Sequence, residues 1–194
     1  KKYKTPNFEA VYCRVAEEHK DNFRFLNDFS SEFTLPIKII GDASAEFSIY
    51  KVFEKRKFIK GPMGAPCTMI LKKDVRKKYQ REGDIQVFGY TSEEEDRANR
   101  FIDSNNDVDV DFILLENNWT KKDCLEFVRD NNIEIPFMYK LGYNNNNCVG
   151  CVKGGMGYWN QIRVDFPEAF DKMAKLERKL GHAINKDKNG AVFL

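Results

Sequence analysis

Short apolar runs alternate along the chain with longer stretches in which apolar residues recur every three or four positions. Phe8–Cys13 (FEAVYC) and Leu35–Ile40 (LPIKII) are short and β-prone, which predicts strands. Between them, residues 19–33 carry Phe25, Leu26 and Phe29 at helical spacing. Gly41 ends the second run, and residues 44–58 (SAEFSIYKVFEKRKF) predict a helix that leads into a breaker-rich loop, KGPMGAPC. A helix is expected over residues 68–80, with Thr68 as its N-cap. Strand DIQVFGY (84–90), helix SEEEDRANRFIDS (92–104), strand VDFILLE (110–116) and helix TKKDCLEFVRDN (120–131) follow. In the last of these, Thr120 and Asp123 have the spacing of a capping box. From Pro136 onward the pattern predicts a loop, a cysteine-bearing loop and two helices broken at Pro167.

Strands alternating with helices at this spacing predict an α/β fold, a doubly wound, mostly parallel sheet with helices on both faces. Ligands of such sheets bind beyond the carboxyl ends of the strands, here the loops after Cys13, Ile40, Tyr90 and Glu116. Residues 1–135 form the α/β part, and residues 136–194 form a C-terminal extension with the cysteine loop and helices, packed on the same domain.

Composition narrows the function classes only modestly. With 194 residues, 42% hydrophobic and 32% charged, the chain is long enough to bury a core. Its net charge of +2, from 32 basic and 30 acidic residues, does not by itself imply a nucleic-acid partner. No apolar run approaches the roughly 18 residues that span a bilayer, so no membrane partner is expected. Five cysteines without a visible signal peptide suggest reduced thiols in a cytoplasm.

The candidate chemistry gathers on a few residues. Cys148-Val-Gly-Cys151 lies between four asparagines and a glycine-rich KGGMG segment. Two thiolates at that spacing can chelate zinc, belong to an iron–sulfur cluster or form a redox disulfide. One pair supplies only two ligands, and Cys67, at the mouth of a predicted helix, is the best third candidate. A helix N-terminus there would lower its pKa. Cys13 and Cys124 sit at core-type positions on a strand and a helix. Glu94 and Arg97, one helical turn apart after a strand, are either a surface ion pair or an oxyanion site. Lys72, Lys73, Arg76, Lys77 and Lys78 give one helix a basic face, solvated or anion-binding, with Lys72 nearest Cys67. His19 follows the first strand and is a candidate site residue, whereas His182 is expected to face solvent.

In order, these pieces resemble the 3′-phosphoadenylylsulfate (PAPS) reductase family of the adenine nucleotide α-hydrolase-like superfamily. VYCRVAEEHKDNFRFL is similar to the family's second strand and D-T-G-x-E-H turn, with Glu18 and His19 at the E-H pair. APCTMILKKDVRKKY resembles its C-T-x-x-L-K segment, and GYTSEEEDRA its G-x-R-x-x-E-x-x-R-A segment. Residues 117–143 are similar to the stretch that ends in an I-P-x-x-Y loop. NCVGCVKGGMGYWNQIRVDFPEAF resembles the C-terminal part of a branch often associated with phages and mobile elements.

The resemblance implies an adenine nucleotide, ATP or a sulfonucleotide (PAPS or APS), with Lys72, Glu94 and Arg97 near its phosphates or sulfate. It further implies that Cys67, Cys148 and Cys151 meet, to hold a [4Fe–4S] cluster or zinc. Three departures accompany it. The phosphate loop S-G-G-x-D-S is absent, Arg14, Val15 and Ala16 stand where the family has aspartate, threonine and glycine, and the E-C-G-x-H nucleophile is missing. The first is read as a sign that a first strand, loop and helix precede this chain. Thiol attack on a sulfonucleotide would then fall to Cys148 or Cys151.

Two classes of function follow. One is an enzyme that acts on an adenylylated sulfur compound or uses ATP for sulfur transfer, with a sulfur-donor protein or second copy as partner. In it Lys72 and Arg97 bind anionic oxygens, and Cys67, Cys148 and Cys151 are its working thiols and hold an iron–sulfur cluster or metal. The other is a non-catalytic nucleotide- or metal-binding module; a further alternative is a zinc-stabilised nucleic-acid binder that uses the lysine helix and the glycine-rich loop.

Overall fold

A computed structural model describes residues 8–62 and 64–194; Met63, in the breaker-rich loop, lies outside the described residues. The chain divides into two compact units, one running up to Lys78 and resuming at Pro136–Leu194, the other comprising Tyr79–Ile135. The boundary expected after residue 135 is therefore an end of the second unit, and residues 136–194 join the first.

The first unit opens with strand β1 (Ala10–Cys13), helix α1 (Asp21–Glu32) and strand β2 (Ile37–Ile40). The strands pair in parallel, Ala10 opposite Ile37 and Cys13 opposite Ile40, with α1 as the crossover. Helix α2 covers Ile49–Arg56, shorter than the pattern predicts. The reason is local: Asp42 accepts from the Ser44 and Ala45 amides, which forms a short 3-10 turn, and Glu46 and Phe47 adopt left-handed φ values of 52° and 57°. The chain can resume a helix only after them.

The helix expected from Thr68 starts earlier, at Pro66, with Ala65 as N-cap. Proline is suited to a helix's first position because its missing N–H would have no intrahelical partner there. Thr68 is thus inside the helix rather than its cap. The element runs as α3 (Pro66–Thr68), a π turn over Met69–Lys73, and α4 (Asp74–Tyr79).

The second unit holds strand β3 (Gln86–Val87), a 3-10 turn (Ser92–Glu94), helix α5 (Glu95–Asp103) and strand β4 (Val110–Asp111), with β3 and β4 parallel. The strand expected over residues 110–116 is cut short. Ile113–Glu116 form a helical turn, α6, closed by the Glu116 amide on the Phe112 carbonyl and the Asn117 side chain on the Ile113 carbonyl. An apolar run this short is compatible with either state, and the asparagine cap decides for the helix. Phe88, Tyr90, Phe101 and Phe112 pack as an aromatic cluster, with Tyr90 and Phe112 stacked at 5.4 Å. Helix α7 (Lys121–Asp130) begins at the Thr120/Asp123 capping box as expected.

Back in the first unit come a single turn, α8 (Phe137–Lys140), then α9 (Met156–Asp165) and α10 (Pro167–Leu180), broken at Pro167 as anticipated. A hairpin of β5 (Asn185–Asp187) and β6 (Gly190–Val192), not expected from the pattern, follows. The fully buried Glu177 accepts from the Ile184 and Leu194 amides on either side of it. The core gathers Phe53, Leu71, Met138, Trp159, Ile162 and Met173 from α2, the π segment, α8, α9 and α10, together with Ile59 from the loop after α2. The class is mixed α/β, and the described strands pair two by two.

Replacing Thr120 by alanine removes the acceptor of the Asp123 amide and should destabilise the second unit by about 1 kcal/mol. Urea denaturation followed by the near-ultraviolet signal of Trp119 should show it, and an unchanged midpoint would contradict this role for the box.

Candidate thiol site

The turn after β1 carries two adjacent glutamates with different tasks. Glu17 accepts from the Ser48 hydroxyl at 2.6 Å and the Ile49 amide at 2.9 Å, which caps α2. Its backbone carbonyl accepts from the Val149 amide at 2.8 Å, which ties the Cys148–Cys151 loop to the strand end. The Glu18 side chain is only 7% exposed. One of its oxygens pairs with the Lys72 ammonium at 2.8 Å and the other accepts from the Tyr12 hydroxyl. Tyr12 is hydrogen-bonded to the buried Asn22, and Asn22 accepts from Asn146 at 3.0 Å. One asparagine of the four-asparagine run is thereby joined to the carboxylate that holds Lys72.

The π turn matters to what Cys67 and Lys72 can share. In a regular α-helix, residues five apart diverge by about 140° around the axis. Here the Asp74 amide bonds to the Met69 carbonyl, an i→i+5 closure that widens the turn and brings such residues closer to one face. Cys67 and Lys72 both act electrostatically on Cys148. Cys13, at the end of β1, lies against the Lys72 carbonyl at 3.9 Å.

The Cys148–Cys151 turn has two requirements that its sequence meets. Gly150 has φ of +78°, and a Cβ there would come within 3.3 Å of the Trp159 ring. Both conditions favour glycine. The Tyr158 hydroxyl donates to the Cys148 carbonyl at 2.8 Å and accepts from the Gly150 and Cys151 amides at 3.0 and 2.9 Å.

Burial, then the Glu18 carboxylate, pushes the Cys148 thiol well above the usual cysteine range; Lys72 opposes them, and the Cys151 and Cys67 sulfurs add to the rise. Cys67 is raised as well, by burial first and by Cys151 second, with Lys153 opposing. That direction is the opposite of the one expected from the helix N-terminus, and desolvation is its largest cause. Burial pulls the Lys72 ammonium down, but its pair with Glu18 more than offsets this and the net direction is up. Lys60 is lowered by burial, against the fields of Cys151 and Glu177.

The thiols of Cys67, Cys148 and Cys151, from two distant segments, therefore lie within electrostatic range of one another, and Cys148 also of Lys72 and Glu18. His19 takes a different place. Its ring stacks on Phe137 at 4.7 Å and its Nδ1 accepts from the Asp21 amide, and burial lowers its pKa. Those contacts give it a structural task at the start of α1. Glu94 and Arg97 belong to the second unit, where they pair at 2.5 Å; Glu94 also completes a capping box with Thr91, and the Arg97 guanidinium lies over the Tyr90 ring at 4.5 Å.

All five cysteines are free thiols. Among the described residues no group of three or more His, Cys, Asp or Glu side chains is arranged to hold a metal ion. The three thiols thus converge without forming a coordination set among the described residues. Glu17, Tyr12, Asn22 and Tyr158 complete the site without having been singled out in the sequence; the Tyr158 spacing from Cys148 was the one local sign. No helix among the described residues is long and apolar enough to cross a membrane. No family model matches the chain, and neither does any curated protein or solved structure.

Cys148 favours its neutral form in the folded protein relative to an ordinary thiol near pH 9.0. Its contribution to stability is complete below that pH and is lost as the pH rises beyond it, because the unfolded chain then releases the proton first. Cys148→Ala should therefore flatten the fall in unfolding free energy between about pH 8 and 10, measured by urea titration. An unchanged slope would contradict the assigned burial of that thiol.

Proposed function

We propose that this chain is a PAPS reductase-like protein that binds an adenine nucleotide and carries out sulfur chemistry with Cys67, Cys148 and Cys151. The observation that supports it is the approach of Cys67 to the Cys148/Cys151 turn beside the Lys72–Glu18 pair, the meeting that the family resemblance requires. Lys72 supplies the positive charge for a phosphate or sulfate oxygen. The doubly wound sheet belongs to the same reading. Free thiols throughout fit a reducing cytoplasm.

The reaction balances with two thiols and no metal. A thiolate of the Cys148/Cys151 pair attacks the sulfonate sulfur of PAPS, the sulfur–oxygen bond to the phosphate breaks, and adenosine 3′,5′-bisphosphate leaves. The second thiol attacks the first cysteine's sulfur, a disulfide forms and sulfite departs with the electron pair of the broken bond. A dithiol reductant returns the pair to its starting state.

Isothermal titration with PAPS and with ATP tests the reading. Lys72 and Glu18 are best replaced together, as Lys72→Met with Glu18→Gln, because removing the lysine alone would leave a buried carboxylate unpaired. Wild type should bind at least one nucleotide, and the double variant should bind it at least about tenfold more weakly, the effect of one lost charge-assisted contact. Absence of binding by wild type, or equal binding by the variant, would sink the proposal.

A second reading, a nucleotide- and metal-binding module whose three thiols take up zinc or a [4Fe–4S] cluster after rearranging, is favoured by the same convergence of cysteines. Metal and sulfide analysis on protein purified without oxygen separates the two. Stoichiometric metal lost in Cys148→Ser would support the module, and metal-free protein would remove it.

A further inference from the structure

The Cys148–Cys151 turn is gripped from two sides. On one, the Val149 amide is bound by the Glu17 carbonyl; on the other, one phenolic oxygen serves the Cys148 carbonyl and the amides of Gly150 and Cys151 together. A hydroxyl has one proton to donate and two lone pairs to accept with, and Tyr158 uses all three inside a four-residue loop. Its ring is fixed edge-on by Tyr143 at 5.7 Å and Trp159 at 5.8 Å. Cys67, Cys148 and Cys151 are all half-buried, and of the three Cys67 and Cys148 pack against the hydrophobic core.

We infer that Tyr158 is the positioning residue of the thiol site: its hydroxyl holds the C-x-x-C turn closed, so that Cys151 meets small electrophiles directly and Cys148 only when the clamp opens. The inference rests on these thiols being the working groups of the site. It is independent of nucleotide binding, so a failed titration with PAPS would leave it standing. In that arrangement Cys151 makes the first attack on a sulfur electrophile, and Cys148 is released to resolve the intermediate.

The test is residue-resolved alkylation with iodoacetamide, read by mass spectrometry on the full chain, with Cys13 and Cys124 as internal references. In wild type, Cys151 should react at least about tenfold faster than Cys148. In Tyr158→Phe, Cys148 should accelerate by about tenfold or more, because the hydrogen bonds that hold the turn closed are lost. Cys13 and Cys124 should change less than about twofold. A merely structural role for the ring would move all four thiols together, and that result, or an unchanged Cys148 rate, overturns the inference. Equal rates of Cys148 and Cys151 in wild type overturn it as well. If Tyr158→Phe does not fold, amide hydrogen exchange on wild type decides. The Gly150 and Cys151 amides should exchange more than about tenfold slower than in an unstructured peptide of the same sequence, and unprotected amides would contradict the clamp.

Discussion

A carboxylate taken out of water must be given partners, and the first unit is arranged to give Glu18 two. Lys72 comes from the widened helix and Tyr12 from strand β1. Remove either and a nearly buried charge loses a share of its compensation, a loss that water softens on the Lys72 side, where the lysine is 47% exposed. Satisfying that one group joins β1, the loop before α1 and the Cys67 helix. Glu17, its neighbour, does the same for α2 and the cysteine turn. Two consecutive glutamates thus connect elements that are far apart in the chain, and the thiols inherit their positions from these connections.

The electrostatics of the site follow from the same arrangement. Low dielectric surroundings raise Cys67 and Cys148, and the fixed carboxylate of Glu18 raises Cys148 further. Lysines counter this from several directions, Lys72 beside Cys148 and Lys153 beside Cys67. The resting site therefore holds protonated thiols close to positive charge. An arriving oxyanion or a shift of Lys72 would alter which form is favoured, so thiol reactivity and ligand occupancy are tied to the same few charges.

Much of the element order was legible because helix boundaries leave local marks. Thr120 with Asp123 and Pro167 act through neighbours within a few residues, and the structure honours both. Where the reading failed, a competing local bond decided. The Asn117 side chain turned Ile113–Glu116 into a helical turn, and the Asp42 cap with left-handed Glu46 and Phe47 delayed α2. The cysteine pair and Cys67 could be picked out by residue type and placed together by family resemblance. Tyr12, Asn22 and the Glu17 contact to Val149 could not, since each acts through pairs widely separated in sequence. The sign of the Cys67 shift was missed for a related reason: burial is a property of the folded whole, and the helix-end argument sees only one segment.

The π turn over Met69–Lys73 carries a consequence at the level of the gene. Such a turn holds one residue more than the regular helix it interrupts. Loss of a single codon there would let a regular helix run through, and Asp74 with everything after it would keep roughly its orientation toward Cys67, because the wide turn has absorbed the extra residue. A one-codon deletion is thus a change that this segment can take up locally. Only the side chains within the turn, Lys72 among them, would shift against Glu18.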